Sequence, residues 1–270
     1  ASFSSSRALL RWSDLGSGHE LYCAGHLYEA AVAYARGTGK TTLLDVARKN
    51  ADLVDRTFGP GRLEIPDGHP EVEIGLSRLA AHTGEKRYAA LAKFFVDIRG
   101  KKGGRPLFGD YAQDHLPVLE QREIVGHAVR AAYLFAGTAD VGAAGGGAAY
   151  TEASLRLWDD LYAGQTYLTG GIGAQGNNEG FGARFALANP TAYNETCAAI
   201  ASALWSDRLF RATGDGKYYD AFERVLYNAF HSGWSLSGDL FFYPNPLESK
   251  GGVRSPWFGC ACCPPNVARF

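Results

Sequence analysis

Metal-ligating and nucleophilic residue types are concentrated at the end of this chain, in Cys260-Ala-Cys262-Cys263-Pro264-Pro265-Asn266. Adjacent cysteines rarely bond to each other, because the small ring strains the peptide between them. Two thiols held side by side and stopped by Pro-Pro suit shared ligation of a soft metal ion. A second short pair of ligand types stands at Glu195-Thr196-Cys197. Residues two apart project to one side of an extended backbone, whereas on a helix they diverge. Thr196 is placed to cap a helix from Cys197 through Arg211, which sets Cys197 in a first turn where the helix dipole favours a thiolate. Glu195, Cys197, Cys262 and Cys263 therefore make a set of three thiols and one carboxyl suited to tetrahedral Zn2+. The alternative for Cys197 is a buried core thiol beside Ala198, Ala199, Ile200 and Ala201. Cys260 is a spare thiol of the same loop.

Glu179 lies in Gly176-Asn-Asn-Glu179-Gly-Phe181-Gly182. A carboxyl on such a loop suits a general acid if Phe181 dehydrates it and raises its pKa; the alternative is a solvated loop glutamate. His26, His69 and His127 are candidates for a polar pocket. His69 and His127 follow glycine, and His26 and His127 lie on apolar helical stretches, where a satisfied core histidine is the competing reading. Tyr243, in Phe242-Tyr-Pro-Asn-Pro246, can stack on or hydrogen-bond a ring, or simply edge the core. His19 reads as structural.

A recurring phrase supplies the elements that must position these groups. Arg36-Gly-Thr38-Gly39, His82-Thr83-Gly84 and Ala212-Thr213-Gly214 each separate two stretches of helical apolar spacing, and Gly137-Thr138 is a degenerate copy before a Gly/Ala-rich loop. Glycine closing one helix just before the next begins is the signature of an αα-hairpin turn. Repeated hairpins build either an open solenoid or a closed toroid. Large interruptions at 100–117, 164–190 and 238–266 favour the toroid, whose rim loops build a site. The expected fold is all-α, an incomplete (α/α)6 barrel of eight to ten helices, with a short β-hairpin near 238–245.

The net charge of −1 offers no basic surface for nucleic acid and no polybasic patch for a membrane, and no apolar run approaches a membrane span. An odd count of five cysteines argues against a secreted disulfide framework and for reduced thiols in the cytoplasm. The chain contains no methionine, which is expected of a piece of a longer protein.

Several of these motifs together resemble glycoside hydrolase family 127, the β-L-arabinofuranosidases, with close relatives in family 146. They are His19-Glu-Leu-Tyr-Cys-Ala-Gly-His26, Tyr167-Leu-Thr-Gly-Gly-Ile-Gly173, Tyr193-Asn-Glu195-Thr-Cys197, Phe242-Tyr-Pro-Asn-Pro-Leu-Glu248 and Cys260-Ala-Cys-Cys-Pro-Pro-Asn266. The resemblance covers nearly the whole chain. It implies that residues 1–270 are a catalytic (α/α)6 barrel domain, with the first barrel helices and the family's β-sandwich domains outside this stretch. It also implies that Cys262 is the nucleophile and a resting zinc ligand, that Glu195, Cys197 and Cys263 are the other ligands, and that Glu179 is the general acid/base. His26, His69, His127 and Tyr243 then correspond to sugar-contacting positions.

The implied activity is zinc-dependent, retaining release of β-linked L-arabinofuranose through a thioglycosyl intermediate. Small carbohydrates or arabinofuranosyl glycoconjugates are the expected partners, with the oligomeric state open. One rival is another sugar-active toroid enzyme, an epimerase or lyase with a structural zinc. The other is a helical binding scaffold without catalysis.

Overall fold

Three glycines set the rhythm of the chain. Gly39, Gly84 and Gly214 adopt φ of 71°, 76° and 71°, and each N–H donates to the carbonyl four residues back. That left-handed conformation is open to glycine at little cost and ends a helix cleanly. The computed structural model describes residues 11–248 and 251–270. Among them the helices are α1 (Glu20–Thr38), α2 (Thr42–Thr57), α3 (Val72–Thr83), α4 (Lys86–Ile98), α5 (Ala128–Val141), α6 (Ala148–Gly164), α7 (Thr196–Thr213), α8 (Gly216–Arg224) and α9 (Cys263–Arg269). A π-helical turn, Val225–Phe230, continues α8. Gly39, Gly84 and Gly214 each fall between an odd helix and the even one after it, whereas Gly137 of the degenerate copy lies inside α5. The degenerate copy leads into a π-turn, Gly142–Gly146, before α6.

Burial separates the two sets. On α5 every residue but Asp140 is buried, whereas α2 buries only the stripe Leu44, Ala47, Ala51 and Val54. A helix apolar all round belongs inside, and a single stripe belongs outside. The odd helices pack in sequence, α1 on α3, α3 on α5, α5 on α7 and α7 on α9, and each even helix lies against its predecessor. Arg269 at the end of α9 then reaches Glu29 on α1 and Glu71 just before α3. In an open solenoid the fifth inner helix would lie far from the first, so this contact requires the curvature of a toroid.

The hairpin expected near 238–245 is reduced to isolated bridges, Phe241 pairing with Trp234 and with Ser255. Pro244 and Pro246 lack the N–H groups a longer ladder needs. No helix among the described residues is long and apolar enough to cross a membrane.

With the short glycine turns at one rim, the long connections 99–127, 165–195 and 231–262 all return to the start of an inner helix. The candidate residues gather at that second rim.

Candidate active site

The four expected metal ligands come together. Cys197 Sγ lies 3.4 Å from Cys263 Sγ, and Cys262 Sγ lies 3.8 Å from Cys263 Sγ. Glu195 Oε1 is 3.6 Å from the Cys262 sulfur and 3.8 Å from the Cys263 sulfur. Zinc–sulfur bonds of about 2.3 Å in a tetrahedron imply ligand–ligand edges of roughly 3.8 Å, close to these separations. The other carboxylate oxygen, Glu195 Oε2, is buried without a hydrogen-bond partner. Burial pushes the Glu195 carboxyl and the Cys197 thiol well up, while hydrogen bonds from Cys197 and Cys263, helped by Tyr243, hold the Cys262 thiol far down. Four acidic groups so close cannot all ionise unless a cation offsets them. The spacing, the orphaned oxygen and the soft donors all fit Zn2+.

Local structure explains the convergence. Glu195 is the N-cap residue of α7, with extended backbone, and Cys197 lies in the first turn. Thr196, expected as the cap, is instead the first helical residue. Its hydroxyl donates to Phe242 O at 2.7 Å and its N–H to Tyr243 O at 3.0 Å. These bonds pin the loop carrying Tyr243, whose hydroxyl lies 3.2 Å from Cys262 Sγ and donates to it when that sulfur is a thiolate. The expectation that the helix dipole would make Cys197 the thiolate is not met, because full burial outweighs it. Pro264 and Pro265 start α9, where missing N–H groups leave no intrahelical bond unmade.

Glu179 is positioned from the opposite side. Its loop is stitched to the start of α5 by Ala128 N–H to Glu179 O at 3.1 Å and Phe181 N–H to Gly126 O at 2.9 Å. Gly180 permits this approach, since a Cβ there would stand 2.2 Å from Gly126 O. Glu179 Oε2 meets His127 Nε2 at 3.0 Å, and Tyr193 donates its hydroxyl to Oε1 at 2.8 Å. The His127, Glu179 and Glu195 ligand atoms lie within 4.8 Å of one another. The expected rise in the Glu179 pKa through Phe181 is not found. The hydrogen bond from His127 lowers it, and a side chain about one-third exposed is too wet for burial to win.

His26 and His69 join this cluster through ring contacts, His69 lying 5.8 Å from His127 between ring centroids. His69 is held by Nδ1–H donation to Pro70 O at 2.9 Å, and its loop by Arg99 to Asp67 O and Arg130 to Gly68 O. Tyr22 stands between the two histidines, with ring centroids 4.5 Å from His26 and 4.3 Å from His69. Burial keeps both histidines neutral, driving His26 down to about 4 and His69 well below its usual value. His26 Nδ1 is 3.6 Å from Glu71 Oε1, which Arg269 also holds at 2.9 Å. His19, read as structural, bonds Ser17 O and turns its ring toward His69. Cys260 stays exposed, and no disulfide joins any of the five thiols.

Residues 4–270 match the profile described as β-L-arabinofuranosidase, GH127 catalytic domain. This chain belongs to glycoside hydrolase family 127. A curated relative, the non-reducing end β-L-arabinofuranosidase of Bifidobacterium longum subsp. longum, is 38% identical over 96% of this chain and 44% of its own length. A solved family 127 β-arabinofuranosidase superposes with a TM-score of 0.92 at 47% identity, covering 99% of this chain and 42% of that one. A family 127 β-L-arabinofuranosidase from Geobacillus stearothermophilus gives 0.91 at 43% identity, over 96% and 46%. The chain thus spans less than half the length of these relatives. Cellobiose 2-epimerase from Bacillus thermoamylovorans, at 13% identity and a TM-score of 0.56 over 92% of this chain and 69% of that one, shares the (α/α)6 fold alone.

Sequence reasoning missed several residues that contact these candidates. Tyr22 is one helical turn before His26, a spacing that places both on one face. Glu71 directly follows the Asp67-Gly-His-Pro70 segment already singled out, and Tyr193 begins the Tyr-Asn-Glu195 motif. Arg269 carried no local signal, because its partners lie on α1 and before α3.

Proposed function

We propose that this chain is the catalytic barrel portion of a zinc-dependent retaining exo-glycosidase that releases β-linked L-arabinofuranose. The observation that carries this reading is the Cys262 sulfur, half-buried and favoured as a thiolate, with Glu195 beside it and the Glu179 carboxylate beyond. Membership of family 127 and likeness to curated and solved β-L-arabinofuranosidases support the substrate class. Glu195, Cys197, Cys262 and Cys263 would hold Zn2+, which when bound keeps the sulfurs ionised at neutral pH.

In the first step Cys262 Sγ attacks the anomeric carbon. The carbon–sulfur bond forms as the glycosidic carbon–oxygen bond breaks, and Glu179 gives its proton to the leaving oxygen. Glu179 then accepts a proton from water as that water attacks the same carbon, and Cys262 departs as thiolate. Two inversions give net retention, with cysteine replacing the carboxylate nucleophile of ordinary retaining enzymes. Both Glu179 oxygens accept hydrogen bonds in the resting arrangement, so a substrate that displaces one donor brings the carboxyl toward its acid role. The neutral rings of His26, His69 and His127 and the hydroxyl of Tyr243 offer contacts for a single sugar. Arg269, bound to Glu29 and Glu71, fixes the carboxylate beside His26.

The test is hydrolysis of nitrophenyl β-L-arabinofuranoside by wild-type protein and Cys262→Ser. Turnover is expected from wild type alone, with the variant folded. A variant turning over at the wild-type rate excludes Cys262 as nucleophile.

A further inference from the structure

Asn266 is buried and lies one turn along α9 from the paired cysteines. Its Nδ2 donates to Cys197 Sγ at 3.2 Å. Its Oδ1 accepts from the Tyr133 hydroxyl at 3.1 Å and from Arg269 Nη1 at 3.3 Å. This orientation is forced. A guanidinium donates and never accepts, so the amide oxygen must face Arg269 and the NH2 must face the sulfur. An amide NH2 cannot accept, so the Cys197 sulfur is the acceptor. Arg269 cannot swing away, because Glu29 and Glu71 hold its other nitrogen.

The three sulfurs are therefore treated differently. Cys262 meets the Tyr243 hydroxyl, outside the set, at 3.2 Å, whereas Cys197 accepts from the Asn266 amide on the buried side. Three thiolates and a carboxylate bring four negative charges to one dication. An N–H directed at a buried sulfur disperses part of that excess and fixes where the sulfur points.

Resting on the zinc reading above, we propose that Asn266 is a positioning residue of the metal set. Its amide holds Cys197 as an immobile, charge-relieved ligand, in an orientation imposed by Arg269 and Tyr133. The Pro264-Pro265 step between the ligand pair and Asn266 makes the spacing rigid, so one short helix carries two ligands and the donor to a third.

The experiment measures zinc affinity of the intact protein by chelator competition, with Co2+ as a spectroscopic substitute. Asn266→Leu removes the donor, Asn266→Asp places an acceptor against the sulfur, and Tyr133→Phe removes one orienting bond without touching a sulfur. Asn266→Leu and Asn266→Asp are expected to bind zinc about 10–100-fold more weakly, and Tyr133→Phe only a few-fold, in line with outer-shell changes elsewhere. The sulfur-to-cobalt charge-transfer band is expected to shift in both Asn266 variants, a readout that a general packing defect leaves alone. Zinc affinity and cobalt band both unchanged in the Asn266 variants overturn the proposal while leaving the zinc reading intact. Wild-type protein that takes up neither metal overturns both. Should Asn266→Leu not fold, Asn266→Asp decides the matter, because it keeps the shape and the acceptor for Arg269.

Discussion

The contact between His127 and Glu179 makes a pH prediction that can be worked from geometry. His127 is the N-cap of α5, and its Nδ1 accepts from the N–H groups of Val129 at 3.2 Å and Arg130 at 3.4 Å. That nitrogen therefore carries no proton, and burial lowers the ring's pKa, so the neutral ring donates from Nε2 to Glu179 Oε2. His127→Asn keeps a capping acceptor but is too short to reach Glu179. A hydrogen bond to a carboxylate contributes about 1.5–3 kcal/mol, and partial exposure puts this one at the lower end, equivalent to about one pKa unit. Removing the donor raises the Glu179 pKa.

Because the general acid must be protonated in the free enzyme, the alkaline limb of kcat/KM reports this group. A β-L-arabinofuranoside with an alkyl leaving group is the right substrate, since a nitrophenolate leaves without proton transfer. The limb is expected about one unit higher in His127→Asn, whatever happens to the absolute rate. His127→Phe should move the limb equally but lose the helix cap as well, lowering stability by about 1 kcal/mol in urea unfolding. A limb that stays in place in both variants refutes the assignment of Glu179 as an acid restrained by His127.

Two further changes probe the scaffold. Gly180→Ala puts a Cβ against Gly126 O and should break the stitch between the Glu179 loop and α5; activity is expected to fall at least tenfold, with about 1–3 kcal/mol lost in urea unfolding. Asp67 is buried, with Oδ1 unpartnered, and burial raises it from 3.8 to about 7. A raised folded value means its stabilising contribution is complete below the unfolded pKa and is lost as pH rises through about 7. Asp67→Asn still accepts from Tyr22 N–H, so its stability relative to wild type should improve by a few kcal/mol from about pH 4 to about pH 8.

How much of this was legible depended on whether the signal was local. The glycine turns were, because a left-handed residue after an apolar stripe is written in consecutive positions, and Gly39, Gly84 and Gly214 ended helices as expected. The convergence of Glu195, Cys197, Cys262 and Cys263 was legible, since soft ligand types at short spacing have few other uses. Which thiol ionises was not. That depends on the burial of Cys197 and on hydrogen bonds to Cys262 from its neighbour Cys263 and from Cys197, which is far away in the chain. Glu179 was legible as a candidate, but the sign of its pKa shift was not, because His127 is supplied by another helix start. The strand near 238–245 failed for a local reason that an aromatic run concealed, namely the two prolines beside it.

The adjacent cysteines show how one residue of backbone can divide two roles. In sequence Cys262 and Cys263 are interchangeable thiols, but α9 begins at Cys263. Successive residues at a helix start project about 100° apart, so neighbours cannot face the same way. Cys263 turns inward against Cys197 and is fully buried, while Cys262 stays half-exposed beside Tyr243. In the proposed reaction the attacking sulfur must be reachable by a sugar and the remaining ligands must not be. Both conditions follow from where this helix starts, and Pro264-Pro265 fixes that start.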